Sequence, residues 1–402
     1  MKIVALEFYA VKLPFRFAFT HSLAARNFSI NIICRASLQA PHGGLFEGWG
    51  ESVPRDYVTG EGVEAALEKL RSLYAPRFLN RQFVSSADLA EAIKQEFFGF
   101  GLKVEHGGAA WCALELALLD GAAKVENKPL MNLLGEVRNE ALLEGIVYGG
   151  VVPFANRKAL GFLCSLYRLG GFKTVKVKVG KDFESDLACL QFARRKLGPE
   201  MILRIDANCA WTADQTMQFA EKARPLKIAS IEQPVKADDL AGLKRIVENI
   251  PEQIVADESL CTLAQAEKLA QEKLCTAFNI RISKVGGILP AIAMAQIAER
   301  YGIACHLGAQ VGESGILSAA ARSLACVMPP FENYEGSANF FLLKEDLTRE
   351  NLTFGLSGRG KILRGNGLGV SVLVDRVRAL AEPITSPASA ALAFMPKEKI
   401  VS

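Results

Sequence analysis

The chain has 402 residues, half of them hydrophobic and 22% charged, with a net charge of +4. That length buries a large core and suits two or three units, or one big barrel with an addition. The slight charge and the absence of a Lys/Arg run argue against nucleic acid or an anionic membrane as partner, and no apolar stretch reaches the ~20 residues of a membrane span.

The opening M-K-I-V-A-L-E-F-Y-A alternates like a strand and lacks a signal-peptide pattern. Residues 1–60 read as antiparallel β. Ile3–Val11 and Ser29–Ala36 are strands, A-P-H-G-G at 40–44 is a turn, and L-F-E-G-W-G-E-S continues the sheet. Between the first two strands, F-R-F-A-F-T-H-S-L-A-A-R reads as a polar-aromatic loop carrying His21 and Arg26. Substrate contact and simple exposure are comparable expectations for both. Residues 61–135 turn helical, with apolar residues at helical spacing in G-V-E-A-A-L-E-K-L-R-S-L-Y and from Trp111 to Lys124. The nine cysteines are scattered without a C-x-x-C pair. They predict reduced thiols in a cytoplasmic protein rather than a disulfide framework.

From about residue 145, short Val/Ile-rich runs alternate with amphipathic helices, which predicts a parallel sheet. The strand candidates are G-I-V-Y-G-G-V, T-V-K-V-K-V, I-L-R-I-D-A, A-S-I-E-Q, I-V-A-D-E, A-F-N-I-R-I and A-C-H-L-G. The helices between them are Glu184–Lys196, Ala213–Ala223, Ala237–Ile246, Thr262–Gln271 and Leu289–Tyr301. An eighth unit near N-Y-E-G-S at 333–337 closes the sheet as a barrel, and F-F-L-L-K-E-D-L after 340 begins a return segment. The last stretch has three prolines and many small residues, and reads as a poorly ordered tail over 384–402.

Acid and base groups recur along the alternating region. The steps from Lys178 to Asp206, Glu232, Asp257 and Lys284 are 28, 26, 25 and 27 residues. One strand, one helix and two loops have that period, so each group stands at the same end of a successive strand. In a parallel barrel those ends converge on one mouth. Asp206, Glu232 and Asp257 are hard oxygen ligands that suit Mg²⁺ or Mn²⁺. A single acid after a strand is more simply a helix cap; three in series are not. Lys176 and Lys178 share one face of their strand, and Val175, Val177 and Val179 share the other. The outer face of a barrel strand meets helices, so both lysines point inward, where an unpaired ammonium is costly. Lys284 precedes Gly286-Gly287 and enters from the side opposite Lys178. Crowded cations favour the neutral amine that a general base needs. Asn208 and Glu258 stand beside the acids as groups that orient them. Glu313, past the seventh strand, divides evenly between a site role and a polar rim.

These residues resemble the enolase superfamily, in its muconate-lactonizing-enzyme (mandelate racemase/muconate cycloisomerase) subgroup. T-V-K-V-K at 174–178, D-A-N at 206–208, I-E-Q-P at 231–234, A-D-E-S at 256–259 and S-K-V-G-G at 283–287 follow that family's order. L-D-G-A-A-K at 119–124, followed by K-P-L-M-N-L-L-G, is similar to its capping-domain helix. The resemblance implies an α/β protein with a modified (β/α)8, TIM-type barrel and an N-terminal α+β capping domain. The expected limits are 1–130 for the cap, completed by about 340–383, and 131–339 for the barrel. It implies Asp206, Glu232 and Asp257 as ligands of Mg²⁺, Lys178 and Lys284 as an opposed acid/base pair, and Lys176 on the substrate carboxylate.

The implied step is abstraction of a proton α to a carboxylate through an enediolate. The opposed lysines favour a racemase or epimerase of an amino-acid derivative or dipeptide. Muconate-type cycloisomerisation and the syn dehydration of o-succinylbenzoate synthesis are alternatives, and a non-catalytic binding barrel is a remote one. Dipeptide epimerases of the subgroup carry Asp-x-Asp at the eighth strand, where this chain has Glu335-Gly336-Ser337. Glu335 is thus a candidate for holding a substrate ammonium group, and the 15–27 loop for closing over the substrate. The expected partners are a small-molecule carboxylate and further copies of the chain.

Overall fold

The computed structural model describes residues 1–20, 25–100, 108–138 and 144–382. Strands β1 (Lys2–Thr20), β2 (Ala25–Gln39) and β3 (Leu45–Ser52) form an antiparallel sheet in that order. The first two strands run further than expected, because F-R-F-A-F keeps the period-2 alternation of a strand. Phe19 pairs with Arg26 and Thr20 with Ala25, so most of the expected loop is a hairpin arm. A register shift between Pro14 and Phe19 marks where the ladder meets a residue without an N–H. His21 lies outside the described residues.

The Gly108–Val125 helix packs on this sheet, and every residue from Ala109 to Ala123 is buried. A helix apolar on all sides belongs in an interior. It approaches β3 closely, and a Cβ on Gly48 or Gly50 would stand 1.9 or 2.0 Å from the carbonyl oxygens of Ala117 and Ala113. Only glycine fits that contact. Trp49 and Trp111 are both buried in this layer.

The expected strand at 145–151 divides in two. β4 (Ile146–Val147) pairs antiparallel with β13 (Arg359–Gly360), and β5 (Gly150–Val152) opens the parallel sheet. The sheet continues through β6 (Thr174–Lys178), β7 (Ile202–Asp206), β8 (Ile228–Glu232), β9 (Gln253–Ala256), β10 (Ala277–Ile280), β11 (Ala304–Leu307) and β12 (Asn333–Tyr334), in sequence order. The Gly149 N–H donates to Tyr334 O at 2.9 Å and joins the two edges. Helices Phe183–Leu197, Ala213–Ala223, Leu240–Asn249, Leu263–Gln271, Ile288–Tyr301 and Gly315–Val327 cover the outside. The Leu240 helix starts later than expected because Asp239 caps it, accepting the Gly242 N–H at 2.8 Å.

Residues 340–382 return to the first sheet. Lys344 N–H donates to Pro14 O, Lys12 N–H to Leu380 O and Glu382 N–H to Ala10 O. The expected tail over 384–402 lies outside the described residues. All nine cysteines are free thiols, and no helix among the described residues is long and apolar enough to cross a membrane.

Candidate active site

Strand register aligns the acids. Lys178 pairs with Asp206, Asp206 with Glu232, and Glu232 with Val255, two residues before Asp257. The ladder runs on past the strand ends, from Ala207 N–H to Glu232 O (3.1 Å) and Gln233 N–H to Val255 O (2.9 Å). Asn208 adopts a φ of +43°, which Asn tolerates, and its N–H donates to Asp206 Oδ1 at 2.9 Å. Gln233 Oε1 accepts the N–H groups of Asp257 (2.9 Å) and Ser259 (3.0 Å), which fixes the loop carrying the third acid.

The side chains form one continuous run of buried ion pairs. Lys178 Nζ donates to Asp206 Oδ2 and to Asn208 Oδ1, the latter at 2.9 Å. Lys176 Nζ donates to Glu232 Oε1 (3.0 Å), Glu232 Oε2 (2.9 Å) and Glu335 Oε2 (2.7 Å). Arg281 pairs with Asp257 Oδ2 and stands 3.5 Å from Glu232 Oε1. Lys284 Nζ donates to Asp257 Oδ1 and O, both at 2.7 Å, and to Asn279 O at 2.9 Å. A row of three carboxylates thus has a lysine at each end. Glu258 Oε1 accepts from Asn208 Nδ2 at 3.0 Å.

Charges in this interior perturb one another strongly. Burial raises Asp206, and the neighbouring Glu232 charge raises it further. Burial opposes ionisation of Glu232 as well, but Lys176, Arg281 and Lys178 outweigh it and hold its carboxyl well below the usual range. Burial disfavours the Lys176 ammonium, yet Glu232, Glu335 and Asp206 together hold its proton more tightly than in water. Lys176 is therefore built to stay cationic. Glu335 falls to about 2 because Lys176 and Arg204 overcome its burial. Glu258 is pushed up to about 8 by burial and then by Asp257.

Lysine and arginine nitrogens stand between the acids. As the side chains lie, no three His, Cys, Asp or Glu groups among the described residues form a metal-holding cluster. The donor chemistry nonetheless fits a hard divalent cation. Three carboxylates come from adjacent strand ends, burial and then the Glu232 charge raise Asp206, and Glu258 Oε2 is buried without a hydrogen-bond partner.

A cavity of about 610 Å³ opens onto this row. Lys176, Lys178, Asn208, Glu258, Glu313 and Glu335 line it. Asp206, Glu232, Asp257 and Lys284 are buried and are not among its lining residues. Glu313 accepts the Gln310 N–H at 2.6 Å, and burial pushes its carboxyl up to about 8. The Arg26 guanidinium stands 5.4 Å from the Tyr57 ring, and Tyr57 rather than Arg26 faces the cavity. Glu335, the candidate for a substrate ammonium group, already has internal partners. Both its oxygens are engaged from within, Oε2 by Lys176 and Oε1 by Arg204 at 2.6 Å.

Sequence reading missed Arg204, Asn279 and Arg281. Arg204 stands two residues before Asp206, and Asn279 two before Arg281, so the parity that turned Lys176 and Lys178 inward identifies these as well. Arg204 also donates toward His306 Nδ1 at 3.2 Å, and Asn279 Nδ2 donates to Glu232 Oε1 at 2.8 Å.

Residues 163–376 match the family model described as enolase C-terminal domain-like. The chain is 28% identical over 374 residues to the L-Ala-D/L-Glu epimerase of Bacillus subtilis, a match covering 92% of this chain and 97% of that one. The crystal structure of N-succinyl Arg/Lys racemase from Bacillus cereus superposes with a TM-score of 0.85 at 25% identity, covering 95% of this chain and 98% of that one. The dipeptide epimerase of Enterococcus faecalis, solved with Mg and the dipeptide L-Leu-L-Tyr, gives a TM-score of 0.82 at 26% identity over 92% of this chain and all of that one. With this barrel, this order of acids and lysines and these relatives, the chain belongs to the enolase superfamily, in its muconate-lactonizing-enzyme subgroup, and is one of its isomerases.

Proposed function

We propose that the protein is a Mg²⁺-dependent racemase or epimerase of an amino-acid derivative or dipeptide, acting at the carbon α to a carboxylate. The observation that carries this reading is the row of three buried carboxylates with Lys178 at one end and Lys284 at the other. Asp206, Glu232 and Asp257 would hold the metal, for which Mn²⁺ is a chemically suitable substitute. When bound, the ion supplies electrostatic stabilisation to a carboxylate gaining negative charge.

The chain's own groups do the rest. Lys176 keeps its proton, held by Glu232 and Glu335, and contributes fixed positive charge beside the cavity. Asn208 and Glu258 hold Lys178 and the Asp206 loop in place. One lysine removes the α-proton and the other returns one to the opposite face, which inverts the centre. Similarity to epimerases and racemases of dipeptides and N-succinyl amino acids supports the substrate class.

The test is α-deuterium incorporation in D₂O, followed by proton NMR with Mg²⁺ present, across N-acyl amino acids and dipeptides. Exchange accompanied by loss of optical rotation supports the reading. No exchange in the whole panel, with ultraviolet loss of muconate instead, would replace it with a cycloisomerase.

A further inference from the structure

The barrel is closed weakly at one place. No ladder joins β5 to β12; the Gly149–Tyr334 bond described above holds the two edges. At Val151, in the middle of β5, the Tyr167 hydroxyl takes the place of a strand. It accepts the Val151 N–H at 3.2 Å and donates to Val151 O at 2.9 Å. A paired eighth strand would otherwise engage those two groups. Tyr167 comes from the Arg157–Leu169 helix, so the helix face is drawn up to the open seam.

The seam is walled by rings. Tyr167 meets Phe172 at 4.9 Å between centroids, Phe172 meets Phe354 at 5.5 Å, and Phe354 meets Phe341 at 5.6 Å. At the rim, Phe162 and Leu166 lie one helical turn apart with 67% and 50% of their surface exposed, and Leu356, 81% exposed, lines the same cavity. These residues line the same cavity as Lys176 and Lys178. Its volume of about 610 Å³ is that of a ligand site rather than a packing defect. Among the described residues, the charged side chains lining the cavity are Lys176, Lys178, Arg281, Glu258, Glu313 and Glu335, and the rings and Leu residues of the seam carry no charge.

We infer that the substrate carries a bulky apolar group, on its acylated nitrogen or as its side chain, and that this group lies in the seam between the first and last barrel strands. The inference rests on the epimerase reading for what sits at the lysines. A second charged group is disfavoured in the seam, because none of the described residues that wall it carries a charge to neutralise it. Selectivity against N-succinyl and acidic side-chain substrates follows.

Two readouts on the Mg²⁺-loaded protein separate the seam from the reaction. Calorimetric titration measures affinity along two series, N-acylalanines of lengthening acyl chain and N-acetyl amino acids of lengthening aliphatic side chain. Deuterium exchange measures turnover on the same compounds. The expected result is a Kd falling about fourfold per added methylene along one series, with N-succinylalanine the weakest of its size. Leu166→Asp should weaken the longest member roughly tenfold more than N-acetylalanine. Affinity that stays flat with length along both series, or a length dependence that survives Leu166→Asp, overturns the seam assignment even if exchange occurs. Affinity that rises with length without any exchange keeps the seam and overturns the epimerase reading.

Discussion

Glu115 of the Gly108–Val125 helix accepts the N–H of Ile288 at 2.6 Å, across the boundary between the capping layer and the barrel. It accepts the Leu289 N–H as well, at 2.9 Å, so one buried carboxylate satisfies two free donors at the start of the Ile288–Tyr301 helix. That helix follows the short turn carrying Lys284. Glu51 of β3 does the same for the next helix, accepting from Ser314 N (2.8 Å) and Leu317 N (3.0 Å). The cap thus sets the position of the barrel loops after the sixth and seventh strands. Glu115→Ala strands two buried donors and should cost about 2–4 kcal/mol. Urea unfolding measures it.

The same carboxylate makes stability depend on pH. Burial raises Glu115 from 4.5 to about 8. A carboxyl with a raised folded-state pKa binds its proton more tightly folded than unfolded. Its contribution is therefore complete below 4.5, declines as pH rises, and is lost once pH passes about 8. Glu115→Gln cannot titrate. The stability of the native protein minus that of Glu115→Gln should fall with rising pH in this window, by up to about 1.4 kcal/mol per unit. Melting curves at several pH values test the sign; a rising difference would contradict it.

Gly287 is the tightest point of this junction. Its φ is +126°, and a Cβ there would stand 1.6 Å from Glu115 Oε2. Gly287→Ala should destabilise by about 3 kcal/mol or more and lower turnover by displacing the Lys284 turn. In the Glu115→Ala background the clash partner is gone and only the backbone strain remains. The double mutant should therefore be more stable than the two single losses added together. Strict additivity would mean that the two residues do not meet.

The barrel and its row of acids were legible in the sequence because both rest on periodicity. The strand-helix period located Asp206, Glu232, Asp257 and Lys284, and parity turned Lys176 and Lys178 inward. What escaped is contact between distant segments. Glu115 sits in W-C-A-L-E-L-A-L-L-D, where helical spacing predicts the helix but names no partner for a glutamate within it. In the structure both Glu115 and Asp120 are buried, because helices Ile288–Tyr301 and residue Leu368 come to meet them. Tyr167 likewise reads as an ordinary helix residue until the open edge of β5 lies beside it. The hairpin arm escapes for a different reason: Phe15, Phe17 and Phe19 alternate as a strand does, but the mixed polar-aromatic composition of their segment reads as a loop.

Glu335→Gln tests what the eighth-strand carboxylate does. Its oxygens accept from Lys176 and Arg204, so the amide keeps one acceptor, removes the negative charge between two buried cations and turns an NH2 toward one of them. Breaking such a network should cost about 3 kcal/mol, and turnover should fall for N-acyl amino acids and dipeptides alike. A KM that rises for dipeptides alone would instead give Glu335 the substrate's ammonium group.

Lys178→Ala and Lys284→Ala should each abolish epimerisation, by roughly 10²–10⁴-fold or more. The two variants should differ in what survives. Each retains one base, so each should still exchange the α-proton of one enantiomer in D₂O without inverting it, and the two should select opposite enantiomers. Loss of the same enantiomer in both variants would place both lysines on one face. Unchanged turnover in both would remove them from the mechanism.

Metal removal should stop catalysis and spare the fold. Each acid already has a cationic partner: Lys178 on Asp206, Lys176 on Glu232, and Arg281 with Lys284 on Asp257. The row is therefore neutralised without a divalent ion, and chelation leaves no naked buried charge. EDTA should abolish exchange reversibly while far-ultraviolet circular dichroism stays unchanged. Adding Mg²⁺ should raise the melting temperature by mass action, about 2.7 kcal/mol at a hundredfold excess over Kd. Asp257→Asn should remove that shift, because the amide is a poor ligand for a hard cation and also loosens Arg281 and Lys284. A melting temperature in that variant still responding to Mg²⁺ with the native Kd would move the metal away from the three acids.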